Sequence, residues 1–203
     1  YDSATAVDPI HRGSQLELGF VDETISYWVS EVTLTGSTES FGATDPSIGT
    51  TSTSSLTNHG MNFTVLNETS ISSVDIYPTA PVGSTGTIEI REGSTASSGP
   101  LVASVPITTT VSGSVATPEM ETIVLDVNLQ PGDYTMRLGT GVTLIRNTTG
   151  AQYPYTSTNV EITGNTFNTA YWYYFYNWTV GSSDVICESD REEVQVIVSD
   201  EFP

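Results

Sequence analysis

Tyr171 and Tyr173 stand two residues apart in the run Ala170-Tyr171-Trp172-Tyr173-Tyr174-Phe175-Tyr176-Asn177-Trp178-Thr179-Val180, a spacing that puts two side chains on one face of a β-strand. Two tyrosine rings side by side can stack on a sugar or pack against a neighbouring domain, because each joins an apolar body to a polar tip. Read as a single strand, the run sends Trp172, Tyr174, Tyr176, Trp178 and Val180 toward a sandwich core. The opposite face, with Tyr171 and Tyr173, is then either displayed as an aromatic platform or covered by loops. The other residues able to do chemistry are more scattered. His11 and His59 sit in turn-like contexts with neither metal-ligand spacing nor an adjacent nucleophile. Asp75, Glu89, Asp126 and Glu161 fall at polar positions of predicted strands, where paired carboxylates could do acid and base work as in glycosidases, but their spacing selects no pair. The acidic stretch Asp184 to Glu193 offers hard oxygen ligands for a structural Ca²⁺ without the repeated-aspartate loop of a dedicated site. The expectation is a protein that is not an enzyme and carries no cofactor, apart from such a calcium ion.

Charge restricts the partners. The 203 residues carry 24 acidic side chains against five basic ones, a formal net charge of -19. All five are arginine: Arg12, Arg91, Arg137, Arg146 and Arg191. Nucleic-acid affinity rests on neutralising phosphates with Lys and Arg, so this surface argues against nucleic acid and against anionic membranes. No apolar run approaches the roughly 18 residues of a bilayer span. Cys187 is the single cysteine, which rules out an internal disulfide and a thiolate cluster and leaves it buried, free or paired outside the chain.

Alternation of apolar and polar residues runs along almost the whole chain, and helical periodicity is nearly absent. Strands are predicted at Leu16 to Phe20, Ile25 to Leu34, Met61 to Leu66, Ser73 to Tyr77, Gly86 to Arg91 and Leu101 to Val111. Six more follow at Glu121 to Leu129, Tyr134 to Leu138, Val142 to Arg146, Asn159 to Thr163, Ala170 to Val180 and Glu193 to Val198. A dozen short strands without a long helix imply an all-β fold, a jelly-roll or Ig-like antiparallel β-sandwich with a short N-terminal β segment. Gln130-Pro131-Gly132-Asp133-Tyr134 reads as a turn in which proline presets one φ and glycine supplies a positive one, joining a hairpin. The stretch 36–58, rich in Ser, Thr and Gly, reads as a linker or long surface loop. It divides an N-terminal segment, 1–35, from a sandwich spanning 59–199.

Several motifs carry a resemblance. Tyr1-Asp2-Ser3-Ala4-Thr5, Pro9-Ile10-His11-Arg12-Gly13 and Thr24-Ile25-Ser26-Tyr27-Trp28-Val29 resemble the second half of an Ig-like domain of secreted multi-domain Bacteroidota proteins. Gly60-Met61-Asn62-Phe63-Thr64-Val65, Ile71 to Pro78, Gly132-Asp133-Tyr134, Tyr153-Pro154-Tyr155, Ile162-Thr163-Gly164 and Tyr173 to Trp178 are similar to a second module of such proteins, including large surface adhesins of gliding bacteria. Cys187 to Val194 resembles its closing strand. The resemblance implies an extracellular or cell-surface location, export by the type IX route, and a structural or adhesive task as a link in an array or filament. It identifies a kind of module more than a job, since one fold hosts many functions.

A carbohydrate-binding module using Tyr171 and Tyr173 is the alternative, and an accessory domain of a secreted hydrolase is a third reading. If residues 1–34 are half of an Ig-like domain, their strands lack partners, and open strand edges recruit other chains. Phe20, Tyr27, Trp28 and Val29 are therefore the expected contact with a neighbouring copy or another part of the parent protein. Because the strands supply an ordinary core and one thiol cannot crosslink the chain to itself, the thermal midpoint should not respond to chelator or reductant. A fall of more than ~10 °C with chelator would instead reveal structural calcium, since ~1 kcal/mol moves the midpoint of a domain this size by about 2–4 °C.

Overall fold

Alternating, β-branched and aromatic sequence produces a chain of antiparallel strands, described here from a computed structural model at residues 23–30, 32–34, 38–94, 99–181 and 185–196. In chain order the strands begin with β1 (Ile25–Val29), β2 (Val32–Leu34), β3 (Thr38–Phe41), β4 (Thr51–Ser54), β5 (Gly60–Val65) and β6 (Thr69–Ile76). They continue with β7 (Thr85–Glu92), β8 (Leu101–Thr108), β9 (Glu121–Leu129), β10 (Gly132–Thr140) and β11 (Leu144–Asn147). The last are β12 (Tyr155–Thr156), β13 (Val160–Asn165), β14 (Tyr176–Gly181), β15 (Val185–Glu188) and β16 (Glu192–Val196). The described residues fall into two compact units, one of 38–181 and one built from 23–34 together with 185–196.

The larger unit is an antiparallel β-sandwich. One sheet runs β12-β13-β5-β10-β7-β8 and the other β3-β14-β6-β9, with β4 and β11 forming a separate pair. The pairings nest: β7 with β8, β6 with β9, β5 with β10 and β3 with β14. The first three nested pairs alternate between the two sheets, β4–β11 nests next as its own pair, and β3–β14 returns to the four-stranded sheet, a wrapping of the jelly-roll type. Inward residues alternate along each strand: Met61, Phe63 and Val65 on β5, Ile88 and Ile90 on β7, Met136 and Leu138 on β10, opposed by Ile71, Val74 and Ile76 on β6. The outermost strands are poor templates for further pairing. Pro106 lies within β8, and β9 carries an extra residue against β6 where Asp126 takes φ 49.

Four expectations change. The stretch 36–58 is not a linker, since 38–41 and 51–54 are β3 and β4, because threonine suits a half-exposed strand as well as a loop. The sandwich does not run to 199, because β15 and β16 pair with β2 and β1 rather than with any strand of the jelly-roll. The 130–134 turn joins strands of different sheets and so is a crossover, and Gly132 is not at positive φ. There the Tyr134 hydroxyl donates to the Gln130 carbonyl at 2.9 Å and pins the corner. The acidic stretch that follows Asp184 holds strand at 185–188, in β15, and enters β16 at Glu192 rather than lying wholly in a loop.

The aromatic run is the largest departure. Only Tyr176–Gly181 is strand. Tyr174 takes φ 62 and the Phe175 amide donates to the Tyr173 carbonyl at 2.7 Å, a γ-turn that breaks the alternation. Trp172, Tyr173, Tyr174, Phe175, Tyr176 and Trp178 are all fully buried. Their polar tips are each satisfied. Both indoles donate to the Phe175 carbonyl, Trp172 Nε1 at 2.9 Å and Trp178 Nε1 at 2.8 Å. The Tyr176 hydroxyl donates to Oδ1 of buried Asn147 at 2.8 Å, and Asn147 Nδ2 donates to the carbonyls of Pro46 and Gly49. Asn147-Thr148-Thr149 has the Asn-x-Thr pattern of a glycosylation sequon, and the burial and bonding of Asn147 leave it closed to modification in the folded chain.

Glu89 on β7 lies directly opposite Arg137 on β10 and two residues from Arg91, so one carboxylate meets two guanidinium groups, each at 2.8 Å. Burial alone would raise this carboxyl, and the hydrogen bonds and charges of the two arginines outweigh it and hold it below its ordinary value of 4.5. A depressed folded pKa contributes stability that is present above 4.5 and lost as pH falls through the folded value. Glu89→Gln should therefore lower stability at pH 7 by about 1–3 kcal/mol and flatten the acid limb below pH 4.5 in urea unfolding. An unchanged acid limb would show that the pair carries no linked stability.

Candidate functional site

The β4–β11 pair places Arg146 opposite Ser52, and the cross-strand contact is used: Arg146 Nε donates to Ser52 Oγ at 3.2 Å. Its Nη1 donates to the Tyr173 hydroxyl at 3.0 Å, and its Cζ lies 5.3 Å from the ring centres of both Tyr171 and Tyr173. The guanidinium is thus held by two aromatic faces and two hydroxyls. Arg91 and Arg137 share Glu89, whereas no carboxylate pairs with Arg146 among the described residues. Arg146 keeps its charge uncompensated in a chain of net charge -19.

Around it the rings close a cycle. Phe167 and Tyr171 are 5.4 Å apart, Tyr171 and Tyr173 6.1 Å, Tyr173 and His59 5.4 Å, and His59 and Phe167 5.0 Å. His59 Nδ1 is 3.3 Å from the Thr166 hydroxyl, which also accepts from the Gly60 amide. Burial, and after it the charge of Arg146, lowers His59 below its ordinary 6.5, so the ring is neutral at pH 7. Burial raises the Tyr173 phenol despite the opposing pull of Arg146, which keeps the hydroxyl protonated. Asn165 braces the turn that carries Phe167. Its Oδ1 accepts from the amides of Phe167 and Asn168 at 2.8 and 2.9 Å, and its Nδ2 donates to the carbonyls of Asn168 and Tyr171. Phe167, held this firmly, remains 60% exposed.

The expected platform of Tyr171 and Tyr173 is corrected by this geometry. Tyr173 is fully buried and tilted 33° from Tyr171, which is half-buried, so the two form no displayed coplanar surface. The γ-turn at Tyr174 removes the strand geometry on which that expectation depended. The exposed ring is Phe167, missed because it lies in a turn outside the aromatic run. The signal was the Asn165-Thr166-Phe167-Asn168 spacing, whose asparagine can brace its own loop. The candidate carboxylates do not assemble. Asp75 accepts from the Thr122 hydroxyl and from Asn177 Nδ2 on the β3-β14-β6-β9 sheet, Glu89 is taken by arginines on the other sheet, Asp126 is exposed on β9 and Glu161 is half-buried on β13.

In the smaller unit, the strands that were expected to lack partners have them. Tyr27, Trp28 and Val29 on β1 pair in register with Val194, Glu193 and Glu192 on β16. Tyr27 and Trp28 are half-buried, and Val29 is 48% exposed. Phe20 and the expected strand Leu16 to Phe20 lie outside the described residues, as does His11. The premise that these strands have no partner gives way to pairing within the chain, in two-stranded sheets whose outer edges pair with no other described strand.

No protein-family profile matches the chain, and no curated protein sequence does. Its backbone is similar to the structure of infectious bursal disease virus Gx strain at 10% identity, over 91% of this chain and 39% of that one, with a TM-score of 0.30. The Gt strain structure gives 10% identity, 95% and 39% coverage and a TM-score of 0.29, and the VP2 subviral particle of the same virus 11%, 88% and 43% with 0.23. The chain spans 39–43% of the length of these structures, and at such TM-scores the likeness carries no argument about function.

The two ends of the aromatic cycle should respond differently to truncation. Tyr173→Ala removes a fully buried ring and should cost about 3–5 kcal/mol, while Phe167→Ala, at an exposed turn, should stay within about 0.5 kcal/mol of the parent. Urea midpoints of the two variants check this. Equal losses would mean that Tyr173 is not enclosed.

Proposed function

We propose that this chain is a non-catalytic module of an extracellular or cell-surface protein, serving structural display or adhesion. The supporting observation is how the jelly-roll joins the rest of the chain. Its first and last strands, β3 and β14, pair with each other up to Thr38 opposite Gly181. The adjoining segments pair again, Leu34 opposite Val185 in β2–β15 and Ile25 opposite Val196 in β1–β16. The jelly-roll is thus an insertion between two halves of a smaller β unit, and the outer described ends of those halves, Ile25 and Val196, are paired neighbours. Such an arrangement suits a module hung from its parent better than a link pulled from opposite ends, so the display reading is favoured over the filament link.

Two further features support binding without turnover. The carboxylates expected to be candidates for acid–base work are spread over both sheets, and Asp75 and Glu89 are engaged in structural contacts. The resemblance of the motifs to Bacteroidota surface-protein modules is what implies the extracellular location, and the acidic, lysine-free composition is compatible with it. Beads coated with the purified chain and passed over immobilised cell-surface polysaccharides in a flow chamber test the reading. Retention above bare beads with no new reducing ends is expected. Release of shorter saccharides, or no retention on any surface, would overturn it.

A further inference from the structure

We propose that the cycle of Phe167, Tyr171 and His59 around Arg146 is a glycan-binding site for a carboxylated pyranose, such as a uronic acid unit in an otherwise neutral oligosaccharide. This inference rests on the adhesion reading and names the ligand that reading leaves open. Exposed phenylalanine is ordinary when it stands alone on a surface. Here its turn is fixed by four hydrogen bonds of Asn165, and its ring sits against His59 at 5.0 Å and Tyr171 at 5.4 Å. That is a rigid, half-open aromatic shelf, and the apolar C–H face of a pyranose ring packs on such a surface with little ordering cost.

Charge selects among sugars. Arg146 is half-buried, its Nε and Nη1 are used by Ser52 and Tyr173, and no acidic side chain pairs with it among the described residues. Among the described residues, Arg146 is the charged side chain whose field lowers both His59 and, against burial, Tyr173. Three of the five arginines lie in the jelly-roll, and two of these are paired with Glu89. The site is therefore the jelly-roll's one described locus of uncompensated positive charge, and the remaining guanidinium nitrogen, Nη2, can donate to a carboxylate in a charge-assisted hydrogen bond. A net charge of -19 sets the limit. A polyuronate would bring many charges against an acidic surface, whereas a single carboxylate at Arg146 is screened from distant acids beyond about 8 Å at physiological ionic strength. The ligand is thus sparsely charged.

The test uses the full chain titrated with a glucuronic-acid-capped xylo-oligosaccharide, with its carboxyl-reduced, neutral counterpart as the control, by calorimetry and NMR. Saturable binding is expected, at least 10-fold weaker for the reduced sugar and for Phe167→Ala. Arg146→Gln should lose the preference for the carboxylate and retain weak binding to both sugars. Because Arg146 also braces Tyr173, near-ultraviolet circular dichroism checks that variant's fold, and Phe167→Ala, at an exposed turn, decides the matter if Arg146→Gln does not fold. No binding of the acidic sugar, equal binding of both sugars, or binding indifferent to Phe167→Ala would overturn the site. If coated beads are still retained on polysaccharide while the glucuronate probe fails, the site is wrong and the adhesion reading stands; if neither occurs, both fall.

Discussion

One backbone oxygen organises the densest part of this molecule. The Phe175 carbonyl accepts both indole N–H groups, from Trp172 and Trp178, and so uses both lone pairs on two of the largest side chains in the core. A buried indole without an acceptor would cost about 1–3 kcal/mol, so this carbonyl must be turned toward both rings. Turning it requires the γ-turn at Tyr174, whose φ of 62 is disfavoured for a residue with a Cβ. The local cost of roughly 1–2 kcal/mol is offset by burying six aromatic side chains within seven residues. Trp178 then reaches Phe63 between the sheets, while Trp172 stacks on Tyr153 with the ring planes 7° apart.

From that knot the polar groups spread outward in order of burial. Fully buried Asn147 closes the chain's 46–49 turn and receives the Tyr176 hydroxyl. Its neighbour in sequence, Arg146, points to the other side of β11, toward buried Tyr173 and half-buried Tyr171. Adjacent residues of one short strand thus serve opposite ends, one locking the core and the other charging the surface. The acidic composition makes the second role visible. Among many carboxylates, an arginine held by tyrosines and left without an acid is a departure from what charge balance alone would produce.

The pairing of the chain's flanks has a similar logic. β1 and β2 are short, and two short strands alone are marginal in water. Each gains one partner strand, β16 for β1 and β15 for β2, from the far end of the described chain. Closing that long loop is entropically tolerable because loop entropy grows only slowly with length and the jelly-roll already brings β3 and β14 together.

Sequence alone determined the all-β class, the approximate place of most strands and the absence of a cysteine framework, because alternation, turn residues and composition are local properties. It also sent Trp172, Tyr174, Tyr176, Trp178 and Val180 to the core, where they lie. What it could not determine was the direction of those rings. The period-two rule places Tyr173 beside Tyr171 on a surface, but one residue at positive φ reverses the pattern, and that φ is selected by the shared carbonyl and the surrounding core rather than by tyrosine's own preference. The same holds for β15, β16 and the 38–54 stretch, whose partners lie far away in sequence. Phe167, Arg146 and His59 are separated by 21 to 108 positions, and nothing in any of their local contexts refers to the others. Only the jelly-roll wrap brings them together, because strand pairing at long range, unlike strand formation, is decided by which buried faces and polar tips can be satisfied at once.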